Sequence, residues 1–118
     1  MKRILSFVFC VLLMSVIFAE ASISDKNDKL IQAAEKGNLL DVQAVLADGA
    51  DVNARTAKSM TPLMMASRKG HTEIVKLLLD RGADVNVKSI DGYTALKIAK
   101  KNGRTEIVEI LKKSGAKE

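Results

Sequence analysis

The chain has 118 residues with 19 basic and 14 acidic side chains, which gives a net charge of +5. This length allows one small domain. The single cysteine excludes an internal disulfide framework, and the single histidine excludes a metal site built on several imidazoles.

The first segment of the chain differs from the rest. Residues 1–3 read Met-Lys-Arg, residues 4–18 are almost wholly apolar, and residues 19–21 read Ala-Glu-Ala. A basic start, an apolar middle and a small-residue exit predict a secretory signal peptide over residues 1–21. We therefore expect an exported protein, periplasmic or secreted, with a mature domain over residues 22–118. The alternative is an uncleaved N-terminal anchor, although the apolar run is shorter than the about 20 residues that a spanning helix needs.

A period of 33 residues runs through the remaining chain. Gly37, Gly70 and Gly103 are spaced by it, and several apolar positions recur with the same spacing. Such a period indicates stacked supersecondary units rather than one closed core. We place the repeats at about 28–60, 61–93 and 94–118.

The first repeat is predicted to hold two helices. Asp28 is expected to cap a helix that runs to Lys36, and Gly37 ends it because glycine adopts positive φ readily. A second helix is expected from about Leu39 to Asp48. Its expected buried residues are Leu40, Val42, Val45 and Leu46.

The second repeat has the clearest helix signals. Thr61 is an expected N-cap, and Pro62 fits the first helical position, where its missing N–H costs nothing. Its second helix, about 72–81, is apolar on more than one face, as expected of a helix covered by a repeat on each side. Met64 and Met65 are expected to fill the core, with an adaptable contact surface as the alternative.

The third repeat, whose second helix is expected from about Thr105 to Lys113, departs from the second at charged positions. Lys112 replaces an aligned leucine, which predicts a C-terminal cap and a complete array. The loops before the second and third repeats also differ, because residues 58–59 read Lys-Ser where residues 91–92 read Asp-Gly. We call the turns in these two loops the first and second finger turns, and we expect the first to differ in shape from the second.

Together these motifs resemble ankyrin repeats. They are the 33-residue period, Thr-Pro-Leu at 61–63, Gly-His at 70–71, Ile-Val-Lys-Leu-Leu-Leu at 74–79 and Gly-Ala-Asp-Val-Asn at 82–86. The resemblance covers about residues 25–116. It implies an all-α solenoid of about three helix-turn-helix repeats joined by finger-like β-turn loops. It also implies that the protein acts by binding another macromolecule.

No catalytic or cofactor site is expected. His71 lies in the Gly-His turn, where the resemblance implies bonds to backbone groups, so it is not free to serve as a base or a metal ligand. The glycines recur at helix ends and form no phosphate-binding G-x-x-x-x-G-K motif. We therefore expect a protein that is not an enzyme and that carries no cofactor and no metal.

The resemblance places partner contacts on the finger turns and on the exposed side of each first helix. Basic residues dominate these positions, with Met60, Ile90 and Tyr93 as apolar anchors and Ala57 and Asn102 beside them. We expect a protein partner with acidic groups around a small apolar patch; the alternative is that these side chains are merely solvated. The predicted partner-binding residues are Arg55, Lys58, Met60, Arg68, Lys69, Lys88, Ile90, Asp91, Tyr93 and Lys101.

The favoured role is a monomeric exported adaptor or scaffold. Two other roles stay open: an inhibitor or immunity protein that neutralises an enzyme or toxin, and a scaffold anchored in the membrane by an uncleaved first segment. Nucleic acid is not expected as a partner, because the charge is modest and aromatic residues are few. A membrane surface is a further alternative for the basic residues of the third repeat. These are Lys97, Lys100, Lys101, Arg104, Lys112, Lys113 and Lys117.

Overall fold

The computed structural model describes residues 25–117, so the predicted signal peptide lies outside the described residues. The described chain forms six α-helices and no strand, which confirms the predicted all-α class. No helix in this part of the chain is long and apolar enough to cross a bilayer. The helices are α1 (25–36), α2 (Leu39–Ala47), α3 (Pro62–Lys69), α4 (Thr72–Asp80), α5 (Ala95–Lys101) and α6 (Thr105–Lys113).

The start of α1 corrects the prediction that Asp28 is an N-cap. Asp28 lies inside α1, because the residues before it are helical as well. Two contacts hold this additional turn against the loop after α2. The Lys26 ammonium donates to the Asp48 carbonyl at 3.0 Å, and the Asp51 N–H donates to the Asn27 side-chain oxygen at 2.8 Å.

The exposed face of α2 corrects a second prediction. Leu40 is 75% exposed, whereas Val42 is fully buried and Val45 and Leu46 are half-buried. Residues advance by about 100° around a helix, so Leu40 lies about 200° from Val42 and faces away from the core. Asn38 sets where α2 begins, since its side-chain oxygen accepts from the N–H of Asp41 at 3.2 Å.

The cap predicted for α3 is confirmed, and α5 begins in the same way. The Thr61 hydroxyl accepts from the Met64 N–H at 3.2 Å, and the Thr94 hydroxyl accepts from the Lys97 N–H at 3.3 Å. Each threonine thereby satisfies one of the N–H groups that a helix start leaves without a partner. Pro62 occupies the first helical position of α3, as predicted.

The helices stack in two layers. One layer contains α3 beside α5, and the other contains α4 between α2 and α6; within a repeat, α3 packs on α4 and α5 packs on α6. The core is built from positions that recur with the period, so each repeat buries its apolar face against its neighbours. The largest fully buried apolar side chains are Leu30, Val42, Leu63, Met64, Ile74, Val75, Leu78, Leu96, Ile107 and Leu111.

A chain of Asx hydrogen bonds joins the loops of successive repeats. The Asp51 carboxylate accepts from the N–H of Asn53 at 2.9 Å, and the Asn53 side chain accepts from the N–H of Asp84 at 2.8 Å. One repeat further on, the Asp84 carboxylate accepts from the N–H of Asn86 at 2.9 Å, and Asn86 accepts from that of Lys117 at 3.1 Å. Side chains in each loop therefore fix the backbone of the next loop.

Candidate functional site

The finger that leads into α5 is a tight turn closed by three hydrogen bonds. The Ser89 N–H donates to the Tyr93 carbonyl at 2.9 Å, and the Gly92 N–H donates to the Ser89 carbonyl at 2.9 Å. The Tyr93 N–H donates to the Ser89 hydroxyl at 3.2 Å. Gly92 supplies the positive φ of 81° that this turn requires.

The finger that leads into α3 adopts the same turn, so the predicted difference in shape is wrong. The Thr56 N–H donates to the Met60 carbonyl at 3.0 Å, and the Ser59 N–H donates to the Thr56 carbonyl at 2.8 Å. The Thr56 hydroxyl also accepts from the Met60 N–H at 3.2 Å. These bonds hold Ser59 at a φ of 59°, a conformation that costs a residue with a side chain about 1–2 kcal/mol.

The two fingers lie side by side and are joined through their backbones. The Ile90 N–H donates to the Lys58 carbonyl at 3.1 Å. This bond fixes the spacing of the two turns, so that their side chains and those of α3 and α5 face a common space.

That space is a groove of about 490 Å³ between the fingers and the helices. Ile98 is almost fully buried at its base, while Met60 and Met65 are half-buried and give it further apolar surface. Three basic side chains and one acidic side chain share its edge with Tyr93. The lining residues are Thr56, Lys58, Met60, Met65, Arg68, Ser89, Asp91, Tyr93, Ile98, Lys101 and Asn102.

Two of the three basic side chains are positioned by neighbours yet stay accessible. Arg68 Nη2 lies 3.2 Å from Glu35 Oε1, with about two fifths of each side chain exposed. The Lys101 ammonium lies 5.2 Å from the centroid of the Tyr93 ring, within the range of a cation–π contact. An exposed ion pair such as that of Arg68 with Glu35 contributes only about 0–1 kcal/mol to stability. The Arg68 guanidinium can therefore bind a carboxylate of a partner at small cost.

Comparison with known proteins decides the family. A model of ankyrin repeats matches residues 30–118 with three copies. The chain belongs to the ankyrin-repeat family. Ankyrin repeats are protein–protein interaction modules and are generally not catalytic. The search of curated proteins found no match to this chain.

The ankyrin repeats bring most of the predicted partner-binding residues to the groove. The lining includes Lys58, Met60, Arg68, Asp91, Tyr93 and Lys101.

Four predicted residues lie outside it. Arg55 and Lys69 are exposed elsewhere, and Ile90 is 68% exposed on its finger. Lys88 lines a different pocket, with Lys97 and other residues of the third repeat.

The groove also includes residues that the sequence pattern did not predict. Thr56 and Ser89 are the turn-closing residues of the two fingers, and Met65 and Ile98 come from α3 and α5. Of the two adjacent methionines, Met64 fills the core at 1% exposure, whereas Met65 lines the groove and is available for contact with a ligand. The 100° step between neighbouring helical residues is the signal that separates them.

His71 binds backbone, as the family resemblance implied. Its Nε2 lies 3.0 Å from the Glu35 carbonyl oxygen, and its ring fills the space above Gly37, where an added Cβ would come within 2.5 Å. The aligned residue of the next repeat, Arg104, donates from Nε to the Arg68 carbonyl at 3.3 Å. Within residues 25–117, no group of His, Cys, Asp and Glu side chains is arranged to hold a metal ion.

Proposed function

We propose that this ankyrin-repeat protein is a non-catalytic adaptor or scaffold that binds a protein partner in the groove. The observation that carries the proposal is the apolar base of Met60, Met65 and Ile98 beside the exposed cations of Lys58 and Lys101. Interfaces gain most of their affinity from a few apolar or aromatic anchors that fill such depressions. The groove has a volume of about 490 Å³ and is open to side chains of a partner.

The partner should present a carboxylate next to an apolar side chain. Lys58, Arg68 and Lys101 offer three positive charges against the one carboxylate of Asp91 along the groove. Opposite charges across an interface favour the encounter and set the orientation, while the apolar contact supplies affinity. Tyr93 is 38% exposed and can contribute to affinity through its ring and to orientation through its hydroxyl.

The decisive experiment is capture of partners from the native exported fraction with tagged 22–118. The groove variant carries Lys58→Glu, Tyr93→Ala and Lys101→Glu, and we expect it to lose the partner. The matched control carries Arg55→Glu, Ile90→Ala and Lys69→Glu, which changes the charge equally on residues outside the groove. The control should retain the partner.

Affinity for the purified partner gives the quantitative form of this test. Loss of a binding anchor corresponds to a weakening of at least about 30-fold in the groove variant. Equal binding by the two folded variants would exclude the groove as the contact surface. A single enzyme captured one-to-one with loss of its activity would assign the inhibitor role, and several partners would assign the adaptor role.

We further propose that the protein is exported and monomeric. The proposal of export rests on the basic and apolar pattern of residues 1–21. Mass spectrometry of the native protein is expected to show a chain that begins at Ser22. A mass-spectrometric mass that includes residues 1–21 would instead favour the anchored scaffold. Light scattering of the protein in solution is expected to give the mass of one copy.

A further inference from the structure

A second depression lies where the end of the second repeat meets the third repeat, and it is lined by a different set of residues. It has a volume of about 330 Å³ and shares no lining residue with the groove. Three of its lining residues are exposed lysines, and no carboxylate of the described chain lines it. We call it the lysine pocket; its residues are Asn86, Lys88, Thr94, Lys97 and Lys117.

Two of these lysines replace residues that carry no positive charge in the other repeats. Lys97 aligns with Met64, which is buried at 1% exposure. Lys117 aligns with Asp51 and Asp84, whose carboxylates each accept the N–H of the asparagine two residues later. At position 117 the charge is therefore reversed, not merely lost.

Exposure to solvent explains a polar side chain at these positions but not the sign of its charge. A serine, a glutamine or a carboxylate would be equally well solvated at position 97, and an aspartate at position 117 would repeat the residue of the earlier loops. Among residues 25–117, Lys88, Lys97 and Lys117 form no ion pair, in contrast to Lys29 with Asp25, Arg68 with Glu35 and Lys76 with Glu73. Gathering three cations costs Coulomb energy that a bound anion would offset.

The backbone around the lysine pocket is fixed before any ligand arrives. The Lys117 N–H donates to the Asn86 side-chain oxygen at 3.1 Å, and the Lys97 N–H donates to the Thr94 hydroxyl at 3.3 Å. The backbone of two of the three lysines is therefore already held in place by hydrogen bonds to neighbouring side chains. Such prior ordering lowers the entropy that binding must overcome.

We propose that the lysine pocket binds a phosphate-bearing ligand. Lysine binds phosphate as a point charge, and several lysines around one depression suit an anion with more than one negative charge. No aromatic ring lines the pocket, so the phosphate rather than a stacked base is the recognised group. The phosphate can belong to a soluble ester or to the headgroup of an anionic lipid.

The test is a titration of the native processed protein with inorganic pyrophosphate, followed by amide NMR shifts at constant ionic strength. Saturable shifts at Lys88, Lys97 and Lys117 are expected. Lys97→Gln and Lys117→Gln should each weaken binding about fivefold, the effect of one basic residue near a phosphate-bearing surface. Lys113→Gln is the matched control, because it removes the same charge from an exposed lysine of the same repeat outside the pocket, and it should bind like the unchanged protein.

A vesicle arm identifies the source of the phosphate. Binding to vesicles of phosphatidylcholine with an anionic lipid, displaced by pyrophosphate and weakened by Lys97→Gln, would assign a lipid headgroup. Pyrophosphate binding without vesicle binding would assign a soluble phosphate. The proposal is overturned if shifts in pyrophosphate equal those in chloride of the same ionic strength, or if Lys97→Gln and Lys113→Gln weaken binding equally.

Discussion

The α3–α4 pair and the α5–α6 pair share one framework and differ in what surrounds it. Leu63 and Leu96 occupy the same position and are 1% and 0% exposed. At the next position Met64 is buried at 1%, whereas its counterpart Lys97 is exposed. A repeat position is therefore a core position only when a neighbouring helix covers it, and an uncovered position can hold a charged side chain.

The largest expected effect comes from exchanging the residues at this position. Met64→Lys would place an ammonium in the core without a partner, and we expect it to lower the free energy of unfolding by more than about 3 kcal/mol. Lys97→Met is the reciprocal change and should alter stability by less than about 0.5 kcal/mol, because the site is exposed. Urea unfolding followed by circular dichroism measures both. Equal effects of the two changes would mean that the repeats do not differ in coverage.

The repeats also differ in the side chain that reaches back from one repeat to the one before it. His71 bonds the Glu35 carbonyl with a rigid ring, whereas Arg104 reaches the Arg68 carbonyl with a flexible chain. A rigid ring cannot move aside without losing its hydrogen bond. The glycine that each side chain covers should therefore tolerate substitution to different degrees.

Alanine at the glycine of each helix-to-helix turn tests this difference. A Cβ at Gly37 would come within 2.5 Å of the His71 ring, one at Gly70 would meet the Arg104 guanidinium at 3.0 Å, and one at Gly103 would meet nothing within 4 Å. All three share positive φ, which alone costs alanine about 1–2 kcal/mol. We expect Gly37→Ala to lower the free energy of unfolding by about 2–4 kcal/mol and Gly70→Ala to lower it by less. Gly103→Ala should lower it only by the cost of placing alanine at positive φ.

Chemical denaturation of the three variants orders these losses. Gly103→Ala is the internal control, since it carries the backbone strain without the contact. If Gly37→Ala lowers the free energy of unfolding no more than Gly103→Ala does, the His71 ring moves aside freely, and its hydrogen bond to the Glu35 carbonyl does not hold it in place.

Local signals predicted much of the fold. The cap of Thr61 could be assigned because a cap needs only the hydroxyl and the N–H three residues later, and Thr94, which was not predicted as a cap, makes the same local contact. The start of α1 could not, because Lys26 and Asn27 hold it through contacts more than 20 residues away. The exposure of Leu40 was readable from the aligned Glu73 and Glu106, which are polar in the other repeats.

The groove was predictable only in part. Alignment to finger and first-helix positions found Lys58, Tyr93 and Lys101, since these elements are neighbours in every such repeat. Which side of a finger points into the groove depends on how the two turns are joined, and the backbone bond from Ile90 to Lys58 is not encoded in a pattern of residue types. Ile90 was therefore predicted as an anchor, although it lies outside the groove.

The smallest expected effect compares the two fingers. Ser59 and Gly92 occupy the same turn position, with φ of 59° and 81°. Ser59→Gly removes the strain of a side chain in the left-handed region but adds freedom to the unfolded chain, so we expect a net stabilisation of about 0.5–1 kcal/mol. Because the turn geometry is already the same, the groove should bind its partner unchanged. Thermal unfolding of this variant beside the unchanged protein measures the difference, and a destabilised Ser59→Gly variant would show that the strain at Ser59 is smaller than the entropy that glycine adds to the unfolded chain.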